Sequence, residues 1–91
     1  ENMKTISKTK AVELAENSKG KFITVVYLTK DGSIERKLNG QYLKSKNPSK
    51  LGYFLMKEAI KLKKGEERPI RNINANTLKY IKVNKEEYKV R

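Results

Sequence analysis

The stretch from Lys21 to Gly40, KFITVVYLTKDGSIERKLNG, constrains the fold more than any other, because it reads as a β-hairpin with its turn residues in place. Phe22, Ile23, Val25, Val26, Tyr27 and Leu28 are the aromatic, β-branched and aliphatic residues that suit a pleated surface. Asp31-Gly32 supplies a dipeptide that tolerates positive φ in a tight turn, and Ile34, Arg36 and Leu38 then alternate with polar neighbours. The first strand, about residues 21–29, places Phe22, Val26 and Leu28 on one face and Ile23, Val25 and Tyr27 on the other, so both faces are expected to be covered. The second, about residues 33–39, has one wet face carrying Glu35, Lys37 and Asn39.

Residues 1–20 differ in character and suit a short helix. Ser7 or Thr5 caps its start, Ala11, Val12, Leu14 and Ala15 give it a narrow apolar side, and Asn17 to Gly20 stop it. Its charges nearly balance, so it is expected to cover one end of a sheet rather than to bind. After Gly40 comes QYLKSKNPSK, a turn-rich segment around Asn47-Pro48 that, with Arg36 and Lys37, forms a long acid-free basic stretch. Residues 51–64 fit two templates: a helix with Leu51, Leu55, Ala59 and Leu62 on one side, or a strand with Phe54, Met56, Ile60 and Leu62 alternating. Pro69 and Ile70 resist helix continuation, which favours a strand through Tyr53 to Lys57 and a return strand near Arg68 to Ile73. A helix over 51–64 would make the class α+β instead. NANTL, residues 74–78, suits a single helical turn, and YIKV, a turn at Asn84-Lys85 and EEYKV close the chain. No repeat and no low-complexity linker divides it.

What the chain lacks narrows its chemistry. In 91 residues there is no His and no Cys, which removes the commonest general base, the commonest metal ligands, thiolate nucleophiles and disulfides. The sequential pairs Glu66-Glu67 and Glu86-Glu87 point to opposite sides of a strand and read as solvated turns. An enzyme, a metal site and a cofactor are therefore not expected. No apolar run approaches the roughly 20 residues that span a bilayer, and no apolar secretion-signal core stands at the start, so a cytoplasmic location is the default expectation. Lys and Arg number 22 against 10 Asp and Glu, a formal net charge of +12, which surrounds a small β-domain with a strongly positive field. An AT-rich genome also writes Lys and Asn into any protein, but the acids here were not added in proportion.

Hairpin, basic loop, strand, strand, one helical turn and a final strand follow the layout of an SH3-like barrel. FITVVYLTKDGSIERKLNG followed by PIRNINANTLKYIKVNKEEYKV resembles a family of short phage and prophage-type proteins described as SH3 β-barrel-like, over roughly residues 19–90. Those proteins carry a strand ending in KDG, an Arg on the next strand (here Arg36), and an R-x-I-N segment (here Arg71 to Asn74) before a helical turn. Between Gly40 and Arg68 the chain departs from the pattern, with Asn47-Pro48 and Glu58 only loose counterparts of a Gly-rich basic loop and a following acid. The resemblance implies a mainly β fold, a small five-stranded SH3-like barrel, open or closed, over residues 21–91 with a short N-terminal helix in residues 1–20, and a host-cell cytoplasmic setting. The core expected for such a barrel is Phe22, Val26, Leu28, Ile34, Leu38, Ile73, Leu78 and Ile81.

The candidate binding residues are Arg36, Lys37, Tyr42, Lys44, Lys46 and Lys50 in the basic stretch, together with Arg68 and Arg71. Lysines there neutralise phosphates while Tyr42 stacks on a base, a combination that small barrels use on single strands. The bland alternative is a solvated loop whose Tyr42 packs on the barrel. Arg68 and Arg71 face a phosphate backbone or pair with Glu66, Glu67 or Glu87, and Tyr53, Tyr80 and Tyr88 either extend an aromatic platform or pack across strands. Lys57, Lys61, Lys63 and Lys64 form a second basic cluster. Two functions fit: a basic accessory protein that binds DNA or RNA through phosphates with little sequence preference, or an interaction module that docks on an acidic host protein, through an exposed edge strand for instance.

Overall fold

The computed structural model describes residues 3–29, 32, 34–44 and 52–91. Among these residues the protein is mainly β, with seven strands in one mixed sheet and one short α-helix. In chain order the elements are β1 (Lys4–Ile6), α1 (Lys8–Glu16), β2 (Phe22–Leu28), β3 (Glu35–Leu43), β4 (Tyr53–Glu58), β5 (Ile70–Asn74), a 3₁₀ turn (Ala75–Thr77), β6 (Tyr80–Val83) and β7 (Glu86–Val90). The strands lie in the order β1-β7-β6-β2-β3-β4-β5, antiparallel except for the parallel β1–β7 pair.

Among the described residues this ladder has two free ends and seven strands, so the mainly β class holds while the closed form of the barrel and the count of five strands are corrected. The chain turns at Asn84-Lys85 and lays β7 along the edge of β6 that β2 leaves open, and Lys4–Ile6 then add to β7. Nothing in the sequence marks β1, because three residues, Lys-Thr-Ile, are too few to show an alternation. Of the expected helix or strand over 51–64, the described residues 52–64 hold β4 and no helix, which removes the α+β alternative; Phe54 and Met56 are buried between more exposed neighbours, the period of two that a strand imposes.

β3 runs four residues beyond its expected end because it changes partner. Glu35 to Gln41 pair with β2, and Gly40 to Leu43 pair with β4. At Gly40 the two ladders overlap so closely that a Cβ would collide with the Lys57 carbonyl oxygen, so only glycine fits. The β2–β3 turn is closed by Thr29 N–H donating to Ile34 O at 2.8 Å and Gly32 N–H to Thr29 O at 2.7 Å, with Gly32 at φ +74°. Asp31, expected to share that turn, lies outside the described residues.

One face of the sheet is the core. Ile23, Val25 and Tyr27 of β2 meet Leu38, Phe54, Met56, Ile73, Ile81 and Val83 there, with Leu78 and Ala75 from the segment around the 3₁₀ turn. Each such large side chain contributes about 1.5–3 kcal/mol on burial. α1 closes this layer with Ala11 and Ala15, one turn apart and fully buried, whose small side chains let the helix approach the strands. Ser7 caps it, its Oγ accepting from Lys10 N–H at 3.1 Å, and buried Ser18 donates its Oγ–H to Ala15 O at 2.7 Å at the other end. Residues of the expected N-terminal extension thus share the core of the strands.

Four expected core residues, Leu38, Ile73, Leu78 and Ile81, are buried. Phe22 and Ile34 are not: they are 60% and 57% exposed, and Val26 and Leu28 are half-buried on the same outer face as Phe22. α1 covers only the inner side, so the face of β2 that carries Thr24 stays open and the expectation of two covered faces fails. Among the described residues no helix is long and apolar enough to cross a membrane.

Candidate nucleic-acid interface

Alternation along the strands sorts the charged residues as strictly as the apolar ones. Every second residue of β2 and β3 faces outward, and the register aligns them in rows: Phe22 with Gln41, Thr24 with Asn39, Val26 with Lys37. The first row continues through Lys57 on β4 to Ile70 on β5. On the other side of β2, Thr24 stands beside Lys82 and Val26 beside Tyr80, and Tyr80 beside Lys89. The uncovered face therefore displays Lys37, Lys57, Lys82 and Lys89. Two of its acids are engaged: Glu35 pairs with Lys79 at 3.4 Å, and Glu87 accepts from the Tyr80 hydroxyl at 2.6 Å.

At one end of this face lies an open groove of about 620 Å³, lined by Lys21, Phe22, Thr24, Asn39, Lys82 and Lys85 among others. Thr24 Oγ1 donates to Asn39 Oδ1 at 2.6 Å across its floor. The β6–β7 turn forms one wall. Asn84 and Lys85 sit at φ +52° and +68°, the two left-handed residues of a two-residue hairpin whose twist matches its strands. Lys21 Nζ donates to Asn84 Oδ1 at 3.3 Å, so the cation before β2 and the cation of the turn border the same space. Outside the groove the Arg68 guanidinium sits over the ring of Phe22, 5.9 Å from its centroid. Arg68 donates to Gln41 Oε1, and Gln41 Nε2 donates to Gly20 O at 2.7 Å, a chain of bonds that fixes the guanidinium in place.

The structure separates the residues that the sequence grouped. Arg68 stands over the Phe22 ring and Lys37 on the outer face, whereas Arg36 lines a second cleft of about 280 Å³ with Tyr27, Ile70 and Arg71. Arg36 and Lys37 part company because consecutive strand residues point to opposite faces. Arg71 Nε donates to Glu58 Oε1 at 2.9 Å, so its partner is none of the expected Glu66, Glu67 or Glu87. Glu66 instead accepts from Lys63 N–H at 2.7 Å within a turn. Lys44 is exposed just past β3; Lys46 and Lys50 lie outside the described residues.

Tyr42 stands on a strand, on the inner side, with its ring 5.9 Å from that of Phe54 and tilted by 33°. Burial pushes its pKa up, and the neighbouring Glu16 carboxylate on α1 raises it further by charge and by hydrogen bonding. Tyr80 is pushed up to about 12, first by burial and then by its bond to Glu87. Tyr88 is raised mainly by donating its hydroxyl to Glu86 at 2.6 Å. These tyrosines are committed to neighbours within the fold.

Lys21, Phe22, Lys82 and Lys85 are not among the candidates that the sequence suggests. The signal that marks them is Thr24: it is the polar residue in the otherwise apolar set Phe22, Val26 and Leu28, and it identifies the face left to solvent. No group of three or more acidic side chains able to hold a metal occurs among the described residues. The chain matches no protein-family model, no curated protein and no solved structure.

Proposed function

We propose that this chain is a small nucleic-acid-binding protein that holds DNA or RNA through phosphate contacts on the outer face of its sheet, with little sequence preference. The observation that carries this reading is the uncovered face itself: Lys37, Lys57, Lys82 and Lys89 project from it, Lys21, Lys85 and Arg68 border it, and Glu35 and Glu87 on it are already bonded. A polyanion that neutralises such a face releases condensed counterions, so affinity falls steeply with salt. The strand order β6-β2-β3-β4-β5, with the 3₁₀ turn between β5 and β6, supports treating the central strands as an SH3-like unit to which β7 and β1 are added.

Titrating labelled single-stranded DNA, duplex DNA and RNA with the protein over a range of salt concentrations tests the proposal. Binding at about 50 mM salt that weakens linearly on a log–log plot is expected, and replacing Lys37, Lys82 and Lys89 together by Ala should reduce the slope by about 0.7–0.9 for each phosphate that the variant no longer neutralises. Absence of binding to all three at low salt would refute it.

A second reading rests on a different observation. Among the described residues β1 and β5 are the edges of the sheet, and β5 carries the 56% exposed Ile70. An acidic segment of a host protein adding as a strand beside β5 would use backbone bonds rather than the outer face. Retained function in the triple Ala variant would favour it.

A further inference from the structure

We propose that Phe22 and Arg68 together form a base-stacking platform, and that the partner of this protein is single-stranded nucleic acid. The inference rests on the phosphate-binding reading above and adds the identity of the strand. Phe22 has no polar atom to justify a place in water, yet 60% of it is exposed, while Tyr27 and Phe54 on the inner face are 5% exposed. An aromatic ring left open on a sheet face is a π-surface on which a base can stack. The Arg68 guanidinium lies over one side of the ring, and its own plane is a second surface on which a base stacks. Its bond to Gln41, and that of Gln41 to Gly20, hold it in register with the ring before any ligand arrives.

The surroundings complete the site. Lys21, Lys82 and Lys85 line the groove that opens from the ring, so a nucleotide with its base on Phe22 has cations within its own groove for the adjoining phosphates. Thr24 and Asn39 on the floor supply polar groups for a base edge or a sugar. A duplex satisfies only the lysines, because its bases are already stacked on each other. An unpaired strand satisfies both the lysines and the ring.

Anisotropy titrations with a labelled single strand, and with a duplex of the same sequence, test this on the full chain. Phe22→Ala should weaken single-strand binding about tenfold or more while leaving duplex binding and the salt slope unchanged. Phe22→Tyr should restore the single-strand affinity, and Arg68→Lys, which keeps the charge but loses the plane, should lower it. Urea midpoints of the variants, expected near that of the parent protein, separate loss of the platform from loss of the fold. Equal single-strand affinity for the parent protein and Phe22→Ala, or a parent protein that prefers duplex, overturns the platform and leaves phosphate binding standing. A parent protein that binds no nucleic acid at low salt overturns both.

Discussion

Phe22 and Tyr42 are both aromatic, both lie on long strands of one sheet, and face opposite ways. Tyr42 points inward, where its ring meets Phe54 and its hydroxyl meets Glu16 of α1. Phe22 points outward, where Arg68 lies over a ring that is otherwise open to water. The same contrast runs through the whole molecule: Ile23, Val25, Leu38 and Ile81 build a core, and their immediate neighbours Phe22, Thr24, Lys37 and Lys82 build a charged open surface. A strand shifted by one residue would exchange the two sets, so the fold and the proposed site depend on the same register.

The largest expected effect lies on the inner face. Ile81→Ala removes a fully buried side chain beside Val25 and should cost about 2–5 kcal/mol, a large share of the stability of a domain this small. Phe22→Ala on the outer face removes a side chain that is mostly hydrated and should cost under about 1 kcal/mol. Urea denaturation of both variants measures the difference; similar losses in the two would mean that the outer face is covered in solution.

Much of this division is legible in the sequence, and the part that is not has a physical cause. The hairpin, the 3₁₀ turn, the capping Ser7 and the Asn84-Lys85 turn are local features, written in neighbouring residues whose backbone preferences decide them. Which side of β2 faces the core is not local. Both sets of alternate residues are apolar apart from Thr24, and the choice is made by α1, which brings Ala11 and Ala15 to one side only. The basic segment after Gly40 reads as a loop by composition, yet β3 continues to Leu43 because β4 is there to pair with it. Composition therefore puts Tyr42 on a loop surface, whereas its neighbours hold it on a strand. β1 and the partner of Arg71 are likewise set by segments distant in the chain.

Tyr42→Ala sharpens the comparison at one residue type. Without its packing against Phe54 and its link to α1 the protein should be less stable by about 1–3 kcal/mol, a smaller cost than truncating a fully buried aromatic. Nucleic-acid affinity, measured below the unfolding transition, should be unchanged. Stability retained with binding lost would return Tyr42 to the binding surface and move the platform away from Phe22.

Lys85→Gly separates charge from folding on the outer face. Lys85 adopts φ +68°, which disfavours any residue with a Cβ by about 1–2 kcal/mol, whereas Gly takes it without strain. Gly also gains flexibility in the unfolded chain, so the net change should be a stabilisation of roughly 0.5–1 kcal/mol. The variant should melt slightly higher and bind nucleic acid with a shallower salt slope. A slope that stays the same would remove the turn from the phosphate contacts while leaving the strand lysines in place.

The smallest effect belongs to Tyr80, whose hydroxyl is bonded to Glu87 at 2.6 Å on the outer face. Its pKa rises from 10.0 to about 12 in the folded chain, through burial first and then through that bond. The neutral hydroxyl is the form that the folded state favours, so the contribution is complete below pH 10, where folded and unfolded chains are both protonated. Above that the unfolded chain loses its proton first, and the contribution declines until the folded hydroxyl ionises near pH 12. Tyr80→Phe removes the bond and the titration together. At neutral pH the variant should be less stable than the parent by under about 1 kcal/mol, the usual net worth of an exposed hydrogen bond. Between pH 10 and 12 the gap should close and then reverse, because only the parent has a phenol to ionise there and a rise from 10.0 to about 12 exceeds what so small a gap can absorb. A gap that stays constant with pH would mean that Glu87 does not hold the hydroxyl, and would free that carboxylate to oppose an approaching phosphate on the face proposed to bind it.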